Sequence, residues 1–414
     1  MRQLHRAPLS CAALALALLV IIFGCAPRVP KVPSGPPALP APVLEAPGYQ
    51  PLPSSEAASL SLGLTPSAQG LSSWRELAPG LRRSLAYVSS RPAEATAVDR
   101  PGLRLTWADL RATLEDLLRL LPELDRDPAV LAREFAWFQL APETLLSGYY
   151  EPWLKASLTP APGYPVPLYG PPDDLQVVDL GRFHPKWQGQ QLTYRLVNGR
   201  VEPYHDRAAI DGRGALNGRG LEIAWTRDPV DVFFLQIQGS GRLVLPDGRV
   251  KHVLYAGKNG REYVSLAKIM DQRGLLPREA ASMPAIRSLL AERPDLRREL
   301  LDTNPSYVFF RLADDGPYGS AGQVLTPFVS AAVDRGVMPL GAVFALDTRL
   351  PVPTGGEERF RGLMLAQDTG GAIKQTRVDL FCGSDERGEF VAGQLKSQAR
   401  VMVVVSKRVL GLGK

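Results

Sequence analysis

Three aspartates near the C-terminal end of the chain sit in settings that could divide acid and base work. Asp368 opens Asp-Thr-Gly-Gly-Ala-Ile-Lys374 after an apolar run, so backbone N–H groups of the turn could hold it charged. Asp379 is bracketed by Val378, Leu380 and Phe381, apolar neighbours that would keep a carboxyl protonated. Asp334 lies in Val333-Asp-Arg-Gly336. One neutral and one ionised carboxyl close together separate a proton donor from an acceptor; each aspartate could equally cap a turn. Gln236 and Gln238, two apart in Phe233-Phe-Leu-Gln-Ile-Gln-Gly-Ser-Gly-Arg242, would share one face of a strand. Facing a groove, they would offer donors and acceptors to sugar hydroxyls and N-acetyl groups; facing water, they would be a solvated surface. Leu146-Ser-Gly-Tyr-Tyr-Glu-Pro152 carries paired aromatics, suited to a pyranose face or to packing on a core. The four histidines are scattered and the three cysteines too few for a zinc site, so no metal is expected.

The elements that must position these residues are of two kinds. Helices are expected across 72–140. Thr106 reads as an N-cap, followed by Leu110, Leu114, Leu117, Leu118 and Leu121 at helical spacing, with Pro122 as the stop. A second helical segment is expected from Pro128 to Phe138. Short β runs follow at Leu192–Val197, Leu221–Trp225, Val232–Gln238, Arg242–Leu245 and His252–Ala256, with Asp247-Gly248 as a hairpin turn. Helices return at Ser265–Arg273 and between Pro284 and Leu301. Strands then close the chain at Gly341–Leu346, Gly362–Gln367, Arg377–Phe381 and Ala399–Ser406.

The first 24 residues combine Arg2 and Arg6 with an apolar run from about Leu9 to Phe23, the pattern of a secretory signal. Ile22-Phe-Gly-Cys25 resembles a bacterial lipobox, which makes Cys25 the expected site of lipidation and the mature N-terminus. Ala26 after it, by the same resemblance, favours the periplasmic side of the outer membrane. Ten prolines between Pro27 and Pro53 should hold the chain extended as a semi-rigid spacer. Lys and Arg number 48 against 42 Asp and Glu, and no basic run occurs, so no nucleic-acid partner is expected.

Five blocks in order resemble the membrane-bound lytic transglycosylase A (MltA) family: Ser147-Gly-Tyr-Tyr-Glu-Pro152, Leu235-Gln-Ile-Gln-Gly-Ser-Gly241, Tyr255-Ala-Gly-Lys-Asn-Gly260, Asn304-Pro-Ser-Tyr-Val-Phe-Phe310 and the three-aspartate region. The resemblance implies a mainly β fold with flanking helices. A discontinuous double-psi β-barrel, domain A, would carry a smaller inserted β-barrel-like domain B, with the substrate groove between them. The implied boundaries are a signal at 1–24, an anchored linker at 25–58, domain A at 59–154, the insert at 155–312, and the rest of domain A at 313–414 as a three-aspartate (3D) domain.

The implied activity is non-hydrolytic cleavage of the β-1,4 bond between N-acetylmuramic acid and N-acetylglucosamine in peptidoglycan, giving 1,6-anhydro ends. Asp379 would be the single acid and base, with Asp368 orienting the centre and Asp334 holding barrel loops. Ser147, Tyr149, Gln236 and Gln238 would line the groove. No cofactor is implied. Expected partners are glycan strands, the membrane through the lipid anchor, and cell-wall synthesis or division proteins, with the chain a monomer. The family commonly has glycine after Ala-Ile-Lys where this chain has Gln375. A two-carboxylate hydrolase on the same barrel and a non-catalytic glycan-binding lipoprotein are the alternatives.

Overall fold

The structure, a computed structural model, describes residues 46–412. Cys25, the signal segment and most of the proline-rich stretch lie outside them. The stretch ends sooner than expected, because Gly48–Pro51 already forms a strand along Phe138–Ala141. It is an edge strand, where Pro51 need supply no ladder N–H.

The central element is a closed barrel of six strands: Lys396–Ser406, Val343–Pro351, Glu357–Asp368, Ser330–Ala332, Val378–Phe381 and Thr144–Tyr149, with the last pairing back to Lys396–Ala399. This is the expected mainly β fold of double-psi type with flanking helices. Two of its pairings are parallel, Ser330–Ala332 with Glu357–Asp368 and Val378–Phe381 with Thr144–Tyr149. The other half of Lys396–Ser406 pairs with Phe135–Ala141. Strands covered on both faces read as continuous apolar runs, and Phe360 and Leu363–Ala366 are all buried. Helices Ala78–Ser89 and Trp107–Leu124 cover the outside.

Trp107–Leu124 starts where expected, at a capping box. The Asp109 N–H donates to Thr106 Oγ1, and Asp109 Oδ2 accepts from the Thr106 N–H. Pro122 does not stop it. The proline is exposed, so its missing N–H lies on the solvent side, and buried Leu121 and Leu124 hold the last turn. The next segment is helical only over Val130–Glu134; Phe135–Ala141 is a strand, since Phe135 and Trp137 alternate inward.

A second, six-stranded sheet lies wholly between Trp153 and Ala313, in the order Val308–Ala313, Val250–Lys258, Ser240–Val244, Trp153–Ser157, Glu222–Thr226, Val166–Tyr169. The Asp247-Gly248 turn joins two of these strands as expected, with Gly248 at φ +83°. Val232–Gln238, expected as a strand, instead belongs to a helix, Pro229–Gln238. The Asp228 side chain accepts from the Val230 N–H, Pro229 takes the first turn, and Gly239 ends it at φ +86°. Cap chemistry at both ends outweighs the β preference of valine and phenylalanine. The run reads as continuously apolar because one face packs on the sheet through Val232 and Leu235, and the other on three helices through Val230, Phe233 and Phe234.

The barrel carries one irregularity. Ala331 pairs with Ala366 and Ala332 pairs with Asp368, so Gln367 is an extra, unpaired residue in its strand. Its amide is fully used: Ser330 Oγ donates to Oε1 at 2.6 Å, and Nε2 donates to Gly80 O at 3.0 Å and Ser84 Oγ at 2.9 Å. Gln367→Leu should therefore lower stability by about 2–4 kcal/mol, because it leaves buried groups unpaired. Urea unfolding of the two proteins measures the difference.

Candidate active site

Register places the site. A bulge re-aims the residues after it, and the bulge at Gln367 sets Asp368 opposite Ala332. On its other side Ala332 pairs with Asp379, which pairs in turn with Ser147. Partners in register point to the same face, so Asp368, Ala332, Asp379 and Ser147 form one row across three strand gaps. Two strand spacings put the aspartate Cα atoms about 10 Å apart. Ala332, the smallest side chain in the row, stands between the two carboxyls and is itself buried. The floor is apolar: Tyr149, Leu325, Ala332, Ile373 and Phe381 form one buried cluster.

The two carboxyls are treated unequally. Asp368 Oδ1 accepts from the N–H groups of Ser320 and Thr369, each at 2.8 Å, and from Ser320 Oγ at 2.9 Å. Tyr149 Oη donates to Oδ2 at 2.9 Å. Burial pushes the Asp368 carboxyl above its ordinary range, and these four donors hold it back. Such a donor set is that of an acceptor-only carboxylate. Asp379, half-buried, has one side-chain donor, Ser147 Oγ, 2.7 Å from Oδ1. Burial raises it to about 6, the negative Asp368 adds to that rise, and Ser147 and the Arg377 guanidinium oppose it. A carboxyl near 6 is poised to give a proton close to neutral pH.

Asp334 accepts from the Gly336 N–H at 2.9 Å and, through its other oxygen, from the Gln375 N–H at 2.8 Å, so it ties two loops together. Gln375 stands at φ +56°, a conformation that glycine takes at no steric cost. Ser147 meets Asp379 as described, but Tyr149 does not present a face to a groove. It is 9% exposed, its hydroxyl is spent on Asp368, and its ring packs on Phe381 at 5.3 Å. Burial raises its phenol well above the usual range, keeping it a donor.

Gln236 and Gln238 do not share a face, because two positions along a helix turn about 200°. Gln236 is buried and donates to Val308 O; Gln238 accepts from the Tyr150 N–H at 3.0 Å, next to the site. Cys382 is a buried thiol.

Several residues of the site are not evident from the sequence. Ser320, which supplies two of the donors to Asp368, lies in a Gly-Ser-Ala-Gly loop with no signal of its own. Arg377 does carry a signal: it stands two residues before Asp379, the spacing that shares a strand face. From the second sheet's side come Tyr263, 40% exposed and close enough to Arg377 for its charge to act on the phenol, and half-exposed Trp153, whose Nε1 donates to Ser384 O at 2.6 Å. Among the described residues, no group of His, Cys, Asp and Glu could hold a metal ion.

The family model described as the MltA specific insert domain matches residues 145–311, and the 3D domain model matches 329–405. Membrane-bound lytic murein transglycosylase A of Vibrio cholerae is 34% identical over 263 residues, 62% of this chain and 64% of that protein. The Escherichia coli K12 protein of the same name is 32% identical, with the same coverage. The match thus spans a little under two thirds of these curated relatives. Among solved structures, a membrane-bound lytic murein transglycosylase from Agrobacterium tumefaciens superposes with a TM-score of 0.70 at 32% identity, covering 81% of this chain and 94% of that one. MltA from Neisseria gonorrhoeae gives 0.66 at 30%, covering 90% and 98%. The chain belongs to the MltA family and carries its 3D domain.

The raised carboxyl has a stability consequence. A folded-state pKa near 6 against an ordinary 3.8 means the unfolded chain releases this proton first, so stability falls as pH rises from about 4 to 6 and stays lowered above. Asp379→Asn, which cannot ionise, should be more stable than the parent by on the order of 2 kcal/mol at pH 8 and equal to it at about pH 3.5. Thermal melts at the two pH values test this.

Proposed function

We propose that this chain is a lytic transglycosylase of peptidoglycan, cutting the β-1,4 bond between N-acetylmuramic acid and N-acetylglucosamine without water. The observation that carries the reading is the unequal engagement of two carboxyls over one apolar floor: four donors hold Asp368 against burial, while a single side-chain donor meets Asp379, which burial raises to about 6. Asp379 protonates the leaving O4 of the glucosamine as its bond to muramic C1 breaks. The C6 hydroxyl of the same muramic ring then bonds to C1 and returns its proton to Asp379, closing the 1,6-anhydro ring. A nucleophile already attached to the substrate has a high effective molarity, so a second catalytic carboxylate is not needed. Fixed negative charge on Asp368 favours the cationic character that develops at C1. Asp334 acts at a distance, by tying the loop around Gln375.

A two-carboxylate hydrolase needs a second carboxylate free to activate water or attack carbon. Both Asp368 oxygens are already accepting hydrogen bonds, which favours the transglycosylase. The names of the relatives, membrane-bound lytic murein transglycosylases, point the same way. Acylation of Cys25 and anchoring on the periplasmic side of the outer membrane complete the reading. Among the described residues no helix is long and apolar enough to cross a membrane.

Digestion of purified sacculi followed by mass spectrometry should yield muropeptides with 1,6-anhydro ends; reducing ends in their place would establish hydrolysis. Asp379→Asn should lower turnover by about 10³-fold or more while sacculus binding in a pull-down persists. Because the neutral acid is the working form, turnover should fall as pH rises through about 6.

A further inference from the structure

Three side chains from neighbouring strands form a single file of donors ending on Asp379. Arg377 immediately precedes the strand Val378–Phe381, and Ser147 is the register partner of Asp379. The Arg377 guanidinium donates to Ser147 Oγ twice, from Nη2 at 2.9 Å and from Nε at 3.3 Å. A serine hydroxyl has one hydrogen and two lone-pair positions. With both lone pairs taken by Arg377, the hydrogen must leave toward the remaining neighbour, Asp379 Oδ1 at 2.7 Å. Among the described residues no side chain donates to Oδ2.

We propose that Arg377 is a positioning residue that, by locking the rotation of the Ser147 hydroxyl, confines the transferable proton of Asp379 to Oδ2. The inference rests on Asp379 being the acid of the proposed reaction. A carboxyl whose Oδ1 already accepts a hydrogen carries its own proton on the other oxygen, so each turn of the cycle starts from one protonation geometry. Without Arg377, the hydroxyl can rotate and either oxygen can take the proton, only one of them productively.

The groups facing Asp379 are few. Arg377 precedes its strand and Cys382 follows it, Asp368 stands across Ala332, Tyr149 lies beneath, and Lys396 pairs with Ser147 on the closing strand. Among the described residues Arg377 has no carboxylate within ion-pairing distance, and its charge acts on Asp379. Arg377 and Ser147 both hold the acid down against burial and the negative Asp368. Removing either must therefore let the carboxyl stay protonated to higher pH. A purely structural role for Arg377 would lower turnover equally at every pH.

The test is the pH profile of kcat/KM on purified sacculi for Arg377→Met, Arg377→Lys and Ser147→Ala, together with the pH midpoint of the Asp379 carboxyl followed by carbon-13 NMR of the free protein. Arg377→Met and Ser147→Ala should each lower the plateau and move the alkaline limb and the NMR midpoint upward by about one pH unit. Arg377→Lys, which keeps the charge but not the fork, should move them less while still lowering the plateau. If Arg377→Met does not fold, Ser147→Ala tests the same link. An unmoved midpoint in the folded variants, with anhydro products still formed, overturns the inference and leaves the proposed reaction standing. Reducing ends in the parent's products overturn the reaction, while the midpoint still reports whether Arg377 controls the carboxyl.

Discussion

The site depends on one extra residue in one strand. Gln367 bulges out between Ala366 and Asp368, and that single offset decides which way Asp368 points. Side chains alternate along a strand, so with regular pairing Gln367 would stand opposite Ala332 and Asp368 would face the other way. The row Asp368–Ala332–Asp379–Ser147 exists because the offset exists. The amide that fills the bulge is held by Ser330, Gly80 and Ser84, so the helix outside the barrel takes part in aiming a carboxyl inside the site.

Given the row, chemistry follows from unequal surroundings. Two identical side chains about 10 Å apart share an apolar floor, yet one meets four donors and the other one. Separation of roles by environment is how paired carboxyls generally work. Here it is achieved mostly by loops: Ser320 and Thr369 supply three of the four donors to Asp368. The donor to Asp379 comes instead from a barrel strand, and its orientation comes from an arginine two residues away.

Much of this is legible in the residues. Val378-Asp-Leu-Phe381 announces a buried carboxyl, and the asymmetry between Asp368 and Asp379 follows from the glycines after one and the apolar neighbours of the other. Thr106 and Asp109 announce a helix start. The failures have physical causes. Composition favours a strand over Val232–Gln238, whereas Asp228-Pro229 and Gly239 frame a helix; the two glutamines lose their common face with the strand. Tyr149 looks like a sugar platform, since nothing local says that its hydroxyl reaches an aspartate 219 positions away. The bulge and the closed barrel are out of reach of periodicity, because they arise from pairings between segments as distant in the chain as those of Ser147 and Asp379.

That separation has a temporal side. Ser147 and Asp379 are 232 positions apart, and the strand that closes the barrel, between Thr144–Tyr149 and Val343–Pro351, is Lys396–Ser406. Contacts so distant along the chain form late and slowly. A chain lacking Lys396–Ser406 would hold both Ser147 and Asp379 but leave the strand that carries Ser147 without its pairing to Lys396–Ala399.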